Sequence, residues 1–307
     1  MALDEIQRRL LKEIANLESI PSGAYNIRAN GSAVARNSTA SIDIVPKEDG
    51  TGIEIHVKPG TKKQSVHIPV VISKSGITET VYNDFFIGED CDVVVVAGCG
   101  IDNCGGEDSE HDGVHRFQIG RNAHVRYVEN HYGSGTGSGK RILNPVTELD
   151  LEEGASIEME MVQIKGVNST KRTTKAKLAA NAHIVVRERL MTAGDQLADS
   201  IYEVIMDGEG ASADVVSRGV ARDRSYQRLD LGIEGNAACT GHTECDSIIM
   251  DEARVLAVPS LKANCVDAML VHEAAIGKIA GEQLTKLMTL GLTEKEAEEQ
   301  IISGFLK

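Results

Sequence analysis

The chain has no tryptophan and only four phenylalanines and six tyrosines in 307 residues. Its core therefore cannot be built around large aromatic rings and must be filled by Val, Ile, Leu and Ala, which suits stacked layers of short strands. No apolar run approaches the length needed to cross a bilayer. The opening MALDEIQRRLLKEIANLESI carries charges among its apolar positions, unlike the continuous apolar stretch of a secretory leader. The six cysteines follow no regular framework, so a cytoplasmic protein with reduced thiols is expected, each cysteine being chemical or simply buried. Basic residues are in deficit, 32 against 46 acidic, for a formal charge of -14. That balance argues against binding nucleic-acid phosphates as the main business. The one basic run, KGVNSTKRTTKAK (Lys165 to Lys177), reads as the solvated face of strands.

Nucleotide and hydrolase motifs are also missing. The stretch HYGSGTGSGKRILNP (His131 to Pro145) holds Gly139-Lys140, but a phosphate-binding loop needs Gly at Ser134 and Ser or Thr at Arg141. The dinucleotide pattern finds no register in it either, and it reads as a flexible loop between strands. There is no nucleophile elbow, and His272-Glu273 runs on into Ala-Ala-Ile-Gly without the second histidine of a zincin. An ordinary hydrolase is not expected, and any dependence on ATP has to come from a partner.

What is present is periodic. Ile6, Leu10, Leu11, Ile14 and Leu17 fall on one helical face, and Pro21-Ser-Gly23 is the expected stop. From residue 24 to about 270 the pattern becomes short alternating segments such as SIDIV, HVRYVE and HIVVRERL, bounded by Gly, Asn or Asp. A turn recurs among them with a small residue after it, at Ala123, Ala155, Ala182, Ala211 and Ala237, and more weakly at Cys91, with spacings of 26 to 32. Such a period signals a β-solenoid, in which no unit can bury its apolar side alone; a β-sandwich is the alternative for strands of this length. Beyond Glu273, Leu284, Leu287 and Met288 share a helical face, Gly291 ends it, and Thr293 with Glu296 forms a capping box for a second helix. Three regions are thus expected: an N-terminal helix (1–23), a β core (24–270) and a C-terminal helical hairpin (271–307).

One stretch concentrates chemistry. AGCGIDNCGGEDSEHDGVH (Ala97 to His115) spaces its ligands as Cys99-x4-Cys104-x6-His111-x3-His115, too tight for a zinc finger and too wide for a thioredoxin-type pair. A polar loop is one reading. A metal-dependent enzyme built on a solenoid and using these four residues is another.

The C-terminal third is specific. HTECDSIIMDEARVLAVP, followed by LVHEAAIGKIAGEQLTKLMTLGLTEKEAEEQIISGFL, closely resembles the SufB/SufD family, the scaffold subunits of the sulfur-mobilisation (SUF) machinery for iron-sulfur assembly. The matching positions are Cys245, His272, Gln283, Gly291, Ala297 and Gly304-Phe305, and weaker similarity extends upstream through VVVVAGCG to about residue 85. The resemblance implies a right-handed parallel β-helix with terminal helices. It also implies a non-enzymatic scaffold that accepts sulfur from a donor, carries a transient iron-sulfur cluster and passes it to apo iron-sulfur proteins. The partner would be a SufC-like ABC ATPase docking on residues 282–306. Cys245 would be the main cluster ligand, with His272 and Glu273 as metal ligands from the same or the facing chain, and Cys99 would be a sulfur acceptor. Because Cys245, His272 and Glu273 occur together, a homodimer is expected. Arg254 stands where the family has a second cysteine. Thiolate is a natural ligand for iron, while imidazole and carboxylate complete a site more loosely, as a scaffold that releases its cargo requires.

Overall fold

The computed structural model describes residues 3–307. Helix α1 (Glu5–Ala15) comes first. Twenty strands follow: β1 (Ala24–Ala29), β2 (Ser32–Asn37), β3 (Ile42–Pro46), β4 (Gly52–Val57), β5 (Lys62–Ile72), β6 (Thr78–Ile87), β7 (Asp92–Asp102), β8 (Ser109–Ile119), β9 (His124–Ser134), β10 (Arg141–Leu143), β11 (Val146–Leu151), β12 (Ser156–Lys165), β13 (Ser169–Leu178), β14 (His183–Thr192), β15 (Leu197–Met206), β16 (Ser212–Ala221), β17 (Tyr226–Gly235), β18 (Thr240–Ile249), β19 (Arg254–Ala263) and β20 (Met269–Gly277). Helices α2 (Gly281–Thr289) and α3 (Glu294–Phe305) close the chain.

The strands alternate between two sheets, ordered β2-β1-β5-β7-β9-β12-β14-β16-β18-β20 and β19-β17-β15-β13-β10-β8-β6-β4-β3, with β11 beside β8 and β13. Apart from the antiparallel pairs β1–β2 and β3–β4 at one end, every pairing is parallel. The result is a β-solenoid of about 8 turns rather than a sandwich. Its period comes from the turn chemistry. The residue before each buried slot is left-handed, at Asp90, Asn122, Gly154, Asn181 and Gly210, the conformation that Asn, Asp and Gly tolerate best. The slot itself holds Cys91, Ala123, Ala155, Ala182 and Ala211, all buried, and the amide after each slot bonds the carbonyl of the slot one turn before. In the next turn Cys239, not Ala237, occupies that slot: the amide of Met269 bonds its carbonyl.

Three local expectations are corrected. Helix α1 ends at Asn16, which is left-handed, five residues before Pro21. The glycine-rich stretch does lie between strands, joining β9 to β10, but it is pinned rather than free, because it stacks backbone on backbone over residues 103–107. The Gly137 amide donates to Asn103 O at 3.1 Å and that of Gly139 to Gly105 O at 3.0 Å. A Cβ on Gly137 would stand 2.1 Å from Gly105 O, which explains the glycine there. Finally, β20 continues to Gly277, so His272 and Glu273 lie on a strand and not in the helical segment.

The two terminal regions behave differently. Asp4 and Gln7 form a capping box for α1. The helix buries Leu10, Leu11 and Ile14 against Ile27, Ala29 and Val71, on the outer face of the first sheet. Helix α3 packs Ile302 and Leu306 against Val220, again on the outer face of that sheet. Helix α2 buries none of its residues.

Candidate functional site

In β18 the burial alternates, and Cys245 falls on the inward parity with no exposed surface. Its neighbours across the ladder are Ser217 on β16 and Ala274 on β20. Burial, followed by the negative charge of Glu188, pushes its thiol up to about 12. The thiol is therefore protonated at neutral pH and separated from the last edge of the sheet by one strand.

The register continues from Cys245 through Ser217, Glu188 and Met161 to Glu129. Ionised side chains thus stand in the middle of the solenoid. Arg172, facing them from β13, is 3 % exposed. It bonds Glu129 and lies 3.4 Å from Glu188. Glu188 accepts from Ser200 at 2.7 Å and Ser217 at 2.6 Å, and Glu129 accepts from Tyr127 at 2.9 Å. Burial acts to raise Glu129, but the charge of Arg172 and then that of His131 hold it well below the usual carboxylate range. A buried guanidinium between two carboxylates, with their remaining lone pairs met by hydroxyls, is what makes ions tolerable in such a core.

Cys99 begins a parallel row, aligned with His131 on β9 and, beyond it, Gln163. It is 2 % exposed, and burial, then Glu79 and Glu129, raises its thiol well above the ordinary value. The glycines flanking Cys99 do not open the backbone to a sulfur donor. A Cβ at Gly100 would lie 3.1 Å from Leu10, and at Gly98 2.4 Å from Asn130 O, so these glycines let α1 and β9 approach β7. The four-residue set Cys99, Cys104, His111 and His115 also separates. Cys104 is exposed and donates to Asp102 at 3.3 Å, whereas the other three line one small internal cavity. Among the described residues, no three His, Cys, Asp or Glu side chains meet at metal-ligand spacing.

His272 shares the inward parity of Cys245. Its Nδ1 is 2.7 Å from Thr243 Oγ1, and its Nε2 is buried without a hydrogen-bond partner. Burial, then His242, lowers its pKa, which keeps the ring neutral. Glu273 pairs in register with Glu244 on the opposite face of the sheet, so within one chain it does not converge on Cys245. Both strands of the last turn are edges, β19 of one sheet and β20 of the other. They expose Leu256, Leu261, Val271 and Ile276, with Met269 at 69 % and Val266 in the turn at 97 %.

Glu129, His131, Arg172 and Glu188 were missed by motif reading. The signal was parity: in STKRTTKAKL, Thr174, Ala176 and Leu178 point inward, and so therefore does Arg172, while Lys171, Lys175 and Lys177 point out.

Fold and site together define a parallel β-solenoid with a polar, thiol-bearing interior and one open end. Residues 86–305 match the family described as SUF system FeS cluster assembly, SufBD core domain. An iron-sulfur cluster assembly SufBD family protein of Methanocaldococcus jannaschii is 30 % identical over 264 residues, 85 % of this chain and 82 % of that one. One from Methanothermobacter thermautotrophicus is 29 % identical over 83 % of this chain and 62 % of its own length. One from Pyrococcus horikoshii is 25 % identical over 96 % of this chain and 92 % of its own. The chain belongs to the SufBD family of iron-sulfur cluster assembly proteins. No described helix is long and apolar enough to cross a membrane.

Proposed function

We propose that this chain is a non-enzymatic scaffold on which an iron-sulfur cluster is built at Cys245, near the open end of the solenoid. The observation that carries the reading is the buried polar row ending at Cys245, in a protein of the SufBD family. A core needing only stability would be aliphatic there, because replacing a buried ion pair with apolar groups is often neutral or stabilising. Sulfur arrives as sulfane sulfur and is held on Cys99 and Cys245 as a persulfide, whose outer sulfur becomes cluster sulfide on taking two electrons from an external reductant; iron is the second substrate. Buried, protonated thiols are poor nucleophiles, so loading requires the last turn to open and deprotonate Cys245.

A partner is the natural trigger. The apolar edge of β19 and β20 is a template for a second copy, and the homodimer would bring a second His272 and a facing Glu273 toward Cys245. Helix α2 and its cap, with Met288 and Leu290 exposed, are the proposed docking surface for an ABC-type ATPase, whose cycle would open the turn and release the cluster to apo proteins. The compartment that fits is the cytoplasm, where thiols remain reduced. Anaerobic co-purification with that ATPase tests the reading: iron and acid-labile sulfide in equal amounts are expected. A preparation that holds neither after reconstitution would overturn it.

A further inference from the structure

His111 and His115 flank Gly113 on the inward face of β8. An ideal Cβ at Gly113 would stand 2.9 Å from His115 Nε2 and 3.4 Å from His111 Nε2. Two imidazole nitrogens therefore lean over the space of a missing methyl. Their hydrogen bonds fix the tautomers. His111 Nδ1 is 3.2 Å from the Glu79 carboxylate, which accepts and so places the ring proton on Nδ1. Tyr127 gives its proton to Glu129, leaving its oxygen to accept from His115 Nδ1 at 3.4 Å. Both Nε2 atoms thus carry lone pairs, and both rings line the cavity that also contains Cys99. The cavity measures ≈ 10 Å³, about the space a single small centre needs.

Charge points the same way. Glu79 and Glu129, the carboxylates that touch this pair of rings through His111 and Tyr127, surround the space with negative charge, and facing lone pairs repel unless a cation sits between them.

We propose that His111 Nε2 and His115 Nε2 bind a divalent first-row transition-metal ion over Gly113, with Cys99 as a third ligand drawn in on binding. Imidazole with one thiolate suits borderline ions such as iron(II), cobalt(II) or zinc(II). Glu79 and the Tyr127–Glu129 pair are the outer partners that orient the two rings. Cys99 is not at ligand spacing beforehand; when its sulfur bonds the metal, its thiol proton leaves to solvent. The inference deepens the scaffold reading by giving the metal substrate a waiting place next to a sulfur acceptor. It is independent of chemistry at Cys245.

The test is anaerobic titration with cobalt(II) alone, on a Cys104→Ser/Cys245→Ser background that removes the exposed thiol and the proposed cluster ligand. About one equivalent is expected to bind, with a thiolate-to-cobalt charge-transfer band. Cys99→Ser should abolish the band, and His111→Gln should weaken binding at least about tenfold. Gly113→Ala plugs the space while keeping all three ligands, and it should also weaken binding at least about tenfold with an unchanged circular-dichroism spectrum. No cobalt binding by the background protein, or an affinity in the Gly113→Ala and His111→Gln proteins unchanged from that background, would overturn the site. Cluster formation at Cys245 in the otherwise natural chain is read separately, so failure here leaves that assay interpretable.

Discussion

Replacing Arg172 with methionine removes the only guanidinium between Glu129 and Glu188. Glu188 keeps the hydroxyls of Ser200 and Ser217, so the loss falls mainly on Glu129, which retains Tyr127 and the more distant His131. A buried charge deprived of its partner costs about 3–5 kcal/mol, and that is the destabilisation expected at pH 7.5. The pH dependence fixes the cause. In the natural chain the Glu129 pKa is lowered in the folded state, so its stabilising share is present above the unfolded value of about 4.3 and lost as pH falls through the folded value. That share is constant between pH 7.5 and 5.5. In the variant, burial without Arg172 raises the same carboxyl, whose cost is present above its raised pKa and relieved as pH falls toward 4.3. The gap between the two proteins should therefore narrow from pH 7.5 to 5.5. Urea unfolding followed by circular dichroism measures it, and Arg172→Met combined with Glu129→Gln should recover most of the loss. A deficit below about 1 kcal/mol, equal at both pH values and unchanged in the double variant, would refute the reasoning.

Thiol accessibility gives a second outcome: mass-spectrometric mapping after brief alkylation of the native protein should find Cys104 modified, with Cys91, Cys99, Cys239 and Cys245 protected. Gly137→Val should loosen the stacked stretch by about 1–3 kcal/mol, read as new proteolytic cleavage within residues 103–139. Substituting Met288 and Leu290 with Ser should abolish co-elution with the ATPase while leaving the unfolding midpoint unchanged, since α2 buries nothing in the chain itself; retained co-elution would move the docking surface elsewhere.

The solenoid was legible because its turn has a local cause, a left-handed residue followed by a small buried one, repeated at Asn122-Ala123 and Asn181-Ala182. The slot at Cys239 was misplaced by two residues because this turn departs from the local rule: neither Asn236 nor Ala238 is left-handed, so nothing before either candidate marks the slot. The pinning of the glycine-rich stretch between β9 and β10 was missed for a different reason. Its glycines answer to backbone 32 residues away, as Gly139 does to Glu107, and no local rule encodes that pairing. Parity could have placed Cys99 inside, since Val93, Val95 and Ala97 set the inward face of β7. It could equally have shown Glu273 on the side opposite Cys245. Motif spacing alone counts residues along the chain and is silent about which face each one takes.

The most direct measurement is anaerobic reconstitution with iron and sulfide of the natural chain and of Cys245→Ser, following iron, acid-labile sulfide and the visible spectrum. The natural protein should gain a cluster chromophore, and Cys245→Ser should lose it while unfolding at an unchanged midpoint. An identical spectrum and iron content in both would contradict the assignment of Cys245 as the ligand on which the cluster is built.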